Sequence, residues 1–260
     1  MSATETVLIT GASSGIGLEL AKCFAADKSK LVLVARNTEA LERLAVELRR
    51  DHQVEVVVLT MDLAKLETPR EIFEQTGRAG ITVDVLVNNA GFGLHGAFTE
   101  LPLPRQLEIL QVNVTALVAL TGLFLPGMVE RRRGGILNVG SVAGFVPGPN
   151  MAVYYATKAL VQSFTEALAV ECQNSGVAVS VLCPGPTETN FSEVARGHRA
   201  RELKAPKMSA AAVAIAGHQA FRRNQCICVP GASNKFLATL PRFLPRAAVR
   251  KLVGKFNKLK

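Results

Sequence analysis

The chain contains no tryptophan and only two tyrosines, and aromatic residues make up 5% of its 260 positions. A core built from it must therefore be aliphatic, as buried parallel sheets are. No run of 18 uninterrupted apolar residues occurs, so no membrane-spanning helix is expected. Thr6 already opens an apolar, β-branched run, so no signal peptide is expected ahead of it. Cysteine is scarce and odd in number: Cys23, Cys172, Cys183, Cys226 and Cys228. With no His/Cys cluster at ligand spacing, no metal site is expected, and the pattern points to a reduced, cytoplasmic protein. Internal repeats and low-complexity linkers are absent too, so the length suits one domain with a large core.

What is present alternates. Strands are expected at 6–10, 31–35, 54–59, 83–88, 135–140, 177–183 and 226–229. Helices are expected near 15–28, 38–51, 68–77, 104–131, 153–175 and 209–224. This order implies an α/β, doubly wound parallel sheet of about seven strands with helices on both faces. We expect that Rossmann-like unit over residues 1–232, with a basic helical extension over 233–260. In the 104–131 stretch, Leu107, Leu110, Val114, Leu117, Thr121 and Phe124 recur at helical spacing, a seam for the core or for another subunit.

The first strand, Thr6–Thr10, runs into Gly11-Ala12-Ser13-Ser14-Gly15-Ile16-Gly17 and then into a helical stretch from Leu18. Glycines at such a turn let the backbone approach a pyrophosphate, and the helix N-terminus offers it free N–H groups and partial positive charge. Glycines also close many strand–helix turns for steric reasons alone, and the spacing is not the usual G-x-G-x-x-G. The strand before and helix after favour a nucleotide-phosphate site.

Tyr154 and Lys158 stand one helical turn apart, on one face and with Cβ atoms about 5–6 Å apart. A tyrosine hydroxyl titrates near pH ~10, and a neighbouring ammonium lowers that value toward the range useful for acid/base work. Alone, such a pair is usually a solvated helix face. Ser141, thirteen residues earlier, ends the apolar run 135–140, where a parallel sheet faces its ligand crevice.

Taken together, six marks resemble the short-chain dehydrogenase/reductase family, in its single-domain subgroup: Thr10-Gly11-xxx-Gly15-x-Gly17, Asn88-Asn89-Ala90-Gly91, Asn113, Ser141, Tyr154-xxx-Lys158 and Pro184-Gly185. They appear in the family's order over residues 10–185. The family's Ser-to-Tyr spacing selects Tyr154 rather than Tyr155, which is expected to pack on a neighbouring face. The resemblance implies that Tyr154 exchanges a proton with a carbonyl or alcohol oxygen. Lys158 would lower its pKa and hold the nicotinamide ribose, and Ser141 would hold the substrate oxygen. Asn113 would bend its helix and hold a water relaying protons to the lysine. For the cofactor it implies contacts from Gly11, Ser13, Ser14, Gly15, Ile16 and Gly17 around the pyrophosphate. Asp62 and Leu63 would lie at the adenine, Asn89, Ala90 and Gly91 along the adenosine ribose side, and Pro184, Gly185, Thr187 and Thr189 near the nicotinamide. Asn88 would brace the strand ends.

NAD-preferring enzymes usually end the second strand with an acidic residue that accepts from the adenosine ribose hydroxyls. Here that position is Ala35, and Arg36 follows, whose planar guanidinium suits a 2′-phosphate. A surface arginine at a strand end is common, but the missing carboxylate favours NADP(H).

Segments 92–95 and 143–147 should wall a mainly apolar substrate pocket, along with roughly 188–207. The last holds Arg196, His198, Arg199, Arg201, Lys204 and Lys207, a solvated run or a greeting for an anionic carrier. His95 reads as a solvated loop residue or a substrate contact. Charge is uneven: residues 199–260 hold 14 Lys and Arg against Glu202 alone. Over 245–260, Val249, Leu252, Val253, Phe256 and Leu259 form a stripe, with Arg250, Lys251, Lys255 and Lys258 off it. The readings are a helix docked on its own or a partner subunit, peripheral contact with an anionic membrane, or a lid over the pocket. Nucleic acid is not expected, because the basic residues lack interleaved aromatics.

The expected function is an NADP(H)-dependent oxidoreductase acting on a hydrophobic ketone, aldehyde or secondary alcohol, in a homo-oligomer (dimer or tetramer). The alternatives are a 3-oxoacyl-thioester reductase using coenzyme A or acyl-carrier substrates, and a non-catalytic NADP-binding sensor or scaffold. The last class commonly lacks the tyrosine or lysine present here.

Overall fold

The computed structural model describes residues 4–189, 191, 195 and 207–257. Strand β1 (Thr6–Thr10) is buried at all five positions, as a central parallel strand requires. Around it lie β2 (Lys30–Ala35), β3 (Val56–Thr60), β4 (Val85–Asn88), β5 (Gly134–Val139) and β6 (Val177–Leu182). Strands β7 (Thr187–Glu188) and β8 (Met208–Ser209) form a separate two-stranded ladder, and β9 (Ile227–Cys228) ends the main sheet. The main sheet is parallel throughout, in the order β3-β2-β1-β4-β5-β6-β9. The helices are α1 (Gly15–Ala26), α2 (Thr38–His52), α3 (Thr68–Arg78), α4 (Leu103–Leu110), α5 (Ala116–Glu130), α6 (Ala152–Glu171), α7 (Ala210–Arg222), α8 (Ala232–Thr239) and α9 (Arg246–Phe256). This is the doubly wound, Rossmann-like arrangement that the alternation implies.

Side chains alternate across the sheet and seed two cores. Val7 and Ile9 of β1 join Leu20 and Phe24 of α1, Leu41 and Leu48 of α2 and Phe221 of α7 on one face. Leu8 joins Ile72 of α3, Leu120 and Phe124 of α5 and Leu168 of α6 on the other. Each fully buried leucine among these contributes about 1.5–3 kcal/mol. Between β4 and β5 the core is polar: Asn88 Nδ2 donates to Asn138 Oδ1 at 3.0 Å and to Thr121 Oγ1 at 3.2 Å, and Asn138 Nδ2 donates to Thr165 Oγ1 at 2.9 Å. These bonds lock β4 and β5 to α5 and α6 near the ends that face ligand.

One helix departs from its expected register. A π-turn over Gln111–Thr115 joins α4 to α5, and its wider loop adds a residue to the helical repeat. The expected seam is therefore broken. Leu117, Thr121 and Phe124 are buried, but Leu107 and Leu110 are 54% and 40% exposed. Before the turn, Gln106 and Ile109 point inward instead, and Asn113 is buried within the turn. The combined stretch Leu103–Glu130 is long and apolar enough to cross a bilayer by length and composition. Of its most apolar window 39% is buried in the core, while Leu103, Leu107, Leu110, Val118 and Val129 are exposed.

Candidate active site

Strand order reverses direction between β1 and β4, and in open parallel sheets the crevice beyond the strands' C-terminal ends at such a point takes ligands. A cleft of about 510 Å³ lies there, running from Arg36 to Tyr155 and Asn257. Its floor is the turn from β1 into α1. Gly15 adopts φ +57°, which side chains rarely allow. Gly17 is buried away from the cleft: a Cβ there would sit 2.4 Å from the Gly11 carbonyl oxygen and 2.3 Å from Asn89 Nδ2. It is glycine so that helix and strand can pack, not so that a ligand can approach. Gly11, Ser13, Ser14, Gly15 and Ile16 do line the cleft. Ser14 is the N-cap of α1, yet its side chain caps nothing, and no acidic residue occupies the first turn. The orphan N–H groups and partial positive charge of that helix end are thus left for an anion.

Thr10 and Asn89 hold this turn in place. The Thr10 hydroxyl accepts from Asn89 N and Ala90 N, both at 3.0 Å. Asn89 Nδ2 donates to the carbonyls of Thr10 at 2.8 Å and Gly11 at 3.1 Å. Asn89 lines the cleft, but its donors are already spent on bracing, the task the sequence reading gave to Asn88 alone. Arg36, Asp62, Leu63, Ala90 and Gly91 line the same end. Arg36 is exposed, and among the described residues its guanidinium carries no hydrogen bond or ion pair. Asp62 Oδ1 accepts from Ala64 N at 3.0 Å. Pro184, Gly185, Thr187 and Thr189 form the opposite lip.

At the other end, α6 delivers Tyr154 and Lys158, both buried. Ser141 follows β5, accepts from Ala143 N at 3.1 Å and donates to the Pro184 carbonyl at 3.4 Å. Lys158 Nζ lies 5.9 Å from the centre of the Tyr154 ring and donates to the Val139 carbonyl at 2.8 Å. Burial pushes Tyr154 up to about 12, with its Ser141 hydrogen bond working the other way. Burial likewise pushes Lys158 down to about 8. The expected lowering of the tyrosine by the lysine is therefore reversed, because desolvation outweighs an ammonium turned toward a backbone carbonyl.

Asn113 does not line the cleft. Its Oδ1 accepts from Phe92 N at 3.0 Å, and its Nδ2 donates to Phe92 O at 2.9 Å and Thr157 Oγ1 at 3.1 Å. Thr157 Oγ1 in turn donates to the Tyr154 carbonyl at 2.6 Å. The amide thus ties the loop after β4 to the backbone of the tyrosine, and it has no side-chain donor left over for a relay.

Phe191, within the expected 188–207 wall, has its ring 5.2 Å from that of Tyr154. Tyr155, Met151, Glu108 and Asn257, which the sequence did not place there, also face the cleft. Tyr155 is thus a wall of the cleft as well as a packing residue, its ring lying against the backbone of Gly148. Of the expected apolar walls, Phe92 and Ala143 line the cleft, but Phe145 packs against a core cluster behind it. Arg196, His198, Arg199, Arg201, Lys204, Lys258 and Leu259 lie outside the described residues. Among the described residues no group of three His, Cys, Asp or Glu is placed to hold a metal, and all five cysteines are free.

Comparison with known proteins identifies the family. The sequence pattern of the family described as short chain dehydrogenase matches residues 5–200. The chain is 37% identical over 189 residues to dehydrogenase/reductase SDR family member 7B of Mus musculus, covering 72% of this chain but only 58% of that protein. It is 31% identical over 257 residues to the very-long-chain 3-oxoacyl-CoA reductase of Anas platyrhynchos, covering 96% of this chain and 79% of the relative. A short-chain dehydrogenase from Sphingobium yanoikuyae, solved in complex with NADPH, has the same fold, with a TM-score of 0.81 and 31% identity over 98% of this chain and 96% of its own.

Proposed function

The chain belongs to the short-chain dehydrogenase/reductase family and is an oxidoreductase acting on CH–OH groups; from that premise we propose that it uses NADP(H) to interconvert a hydrophobic ketone or aldehyde and its alcohol. The observation that carries this reading is the convergence of Ser141, Tyr154 and Lys158 on one cleft that reaches the uncapped N-terminus of α1. When bound, the nicotinamide would supply or accept the hydride. Ser13, Ser14, Gly15 and Ile16 would hold the pyrophosphate, Asp62 and Leu63 the adenine, and Pro184, Gly185, Thr187 and Thr189 the nicotinamide end. The unengaged guanidinium of Arg36 beside the carboxylate-free Ala35 supports a 2′-phosphate there.

In the reductive direction Tyr154 would give its hydroxyl proton to the substrate oxygen, and Ser141 would hold that oxygen beside it. Proton donation of this kind contributes typically 10²–10⁴-fold. Lys158 would hold the nicotinamide ribose, and as a cation it would steady the phenolate that donation leaves. Asn113 and Thr157 position Tyr154 through its backbone.

A second reading, reduction of 3-oxoacyl thioesters, draws on the activity named for the duck relative. For α9, the exposed Leu252 and Phe256 with Arg250, Lys251 and Lys255 support contact with a second subunit or an anionic membrane. Vesicle sedimentation at rising salt separates these two. The function is tested by NADPH oxidation against ketones, aldehydes and acyl thioesters. Turnover of apolar ketones or aldehydes is expected; preference for thioesters installs the second reading, and failure with every class overturns both.

A further inference from the structure

Helix α9 does not end in solvent. Asn257, one residue past it, is buried and faces the cleft. Three segments of the chain hold it. Asn150 Nδ2 donates to the Asn257 carbonyl at 2.8 Å, and His95 Nε2 meets the same oxygen at 3.2 Å. The side-chain amide of Asn257 donates to the Tyr155 hydroxyl at 3.2 Å. Val249 is buried, and Gly254 runs against Pro149, so the helix is seated along one side.

Tyr155 adjoins Tyr154, and their ring centres are 6.0 Å apart. The clamp therefore sits beside the hydroxyl that would exchange a proton with substrate. It is fixed through both backbone and side chain of one residue, which makes it a rigid wall rather than a loose flap. The basic face of the helix is not part of it.

We propose that Asn257 is a specificity-determining residue: with Tyr155 it closes the substrate end of the cleft and limits the bulk that a carbonyl compound can carry next to its reacting carbon. This rests on the carbonyl-reductase reading above. The substrates that fit are ketones or aldehydes with one small substituent, whereas ketones bulky on both sides meet the Asn257–Tyr155 pair.

The test uses the full chain, Asn257→Ala, Tyr155→Phe and the double variant. Three quantities are measured: kcat/KM across ketones of rising bulk, NADPH affinity, and the rate at which trypsin cuts at Arg250, Lys251 and Lys255. Retained NADPH affinity shows that the variants fold. Asn257→Ala should raise the bulky-to-small ratio of kcat/KM by about tenfold or more, the discrimination a missing methylene-sized group is worth in a pocket. Each single variant should speed trypsin cleavage, and the double should add little, because both remove the same contact. An unchanged selectivity ratio in Asn257→Ala, or a tail equally protected in every variant, overturns the proposal. Absence of turnover in the wild-type chain counts instead against the carbonyl-reductase reading, while the cleavage rates still report on the clamp.

Discussion

The nucleotide end of the cleft is lined by short segments at 11–16, 36–37 and 61–63, each directly following one strand. The substrate end joins His95, Asn150, Tyr155 and Asn257, whose mutual hydrogen bonds span up to 162 positions. The first end works mainly through backbone: an uncapped helix terminus, glycine turns and carbonyls braced by Asn89. The second works through side chains brought together only by the finished fold. The contrast teaches that the first end, Arg36 apart, depends on local backbone conformation, and the second on which distant residues the finished fold brings together. Variants at the two ends should then move different kinetic quantities.

The largest effect should come where the two ends meet. Tyr154→Phe keeps the ring and removes the acid, so kcat should fall by about 10²–10⁴ while NADPH still binds. Near-normal turnover would remove Tyr154 from the chemistry.

Next comes Lys158, whose burial lowers it from 10.5 to about 8. Between those values the unfolded chain binds more protons than the native one, so this group makes stability rise with pH from about 8 to 10.5 and costs stability below. Lys158→Met should therefore raise thermal stability at pH 7 by about 1–3 kcal/mol, with activity lost. A less stable variant would mean that the Val139 hydrogen bond outweighs desolvation. In the wild type, kcat/KM for reduction should decline as pH rises through about 8, and Lys158→Arg should move that decline upward.

The third, which leaves turnover itself intact, lies at the far nucleotide end. Arg36→Ala should weaken NADPH relative to NADH by about 1.5–3 kcal/mol, the worth of a hydrogen bond to a charged group. Equal losses for both cofactors would place the 2′-phosphate elsewhere.

How much was legible in the sequence follows the same division. The strand-to-helix turn, the i, i+4 pair on α6 and the loops after β4 and β6 are local patterns, so their residues could be gathered before the fold was known. Gly17 was assigned to ligand because its neighbours face one, although its contacts are with Asn89 and the Gly11 carbonyl. Leu107 and Leu110 leave the core face of the expected 107–124 seam because a π-turn leaves no mark in hydrophobic spacing. The direction of the Tyr154 shift depends on burial, which only tertiary packing sets. Asn257 and Phe191 carried no motif, and nothing local ties them to Tyr154.

The place of β1 in the sheet has a consequence during synthesis. It pairs with β4 at Val7 and Val85, 78 positions apart. At roughly 5–20 residues per second, its Val-Leu-Ile edge emerges about 4–16 seconds before its second partner does. In that interval β1 can pair only with β2, leaving an apolar strand edge open to another nascent chain. A chaperone that shields this edge should raise the yield of folded protein most when translation is slowed between Asn37 and Val85.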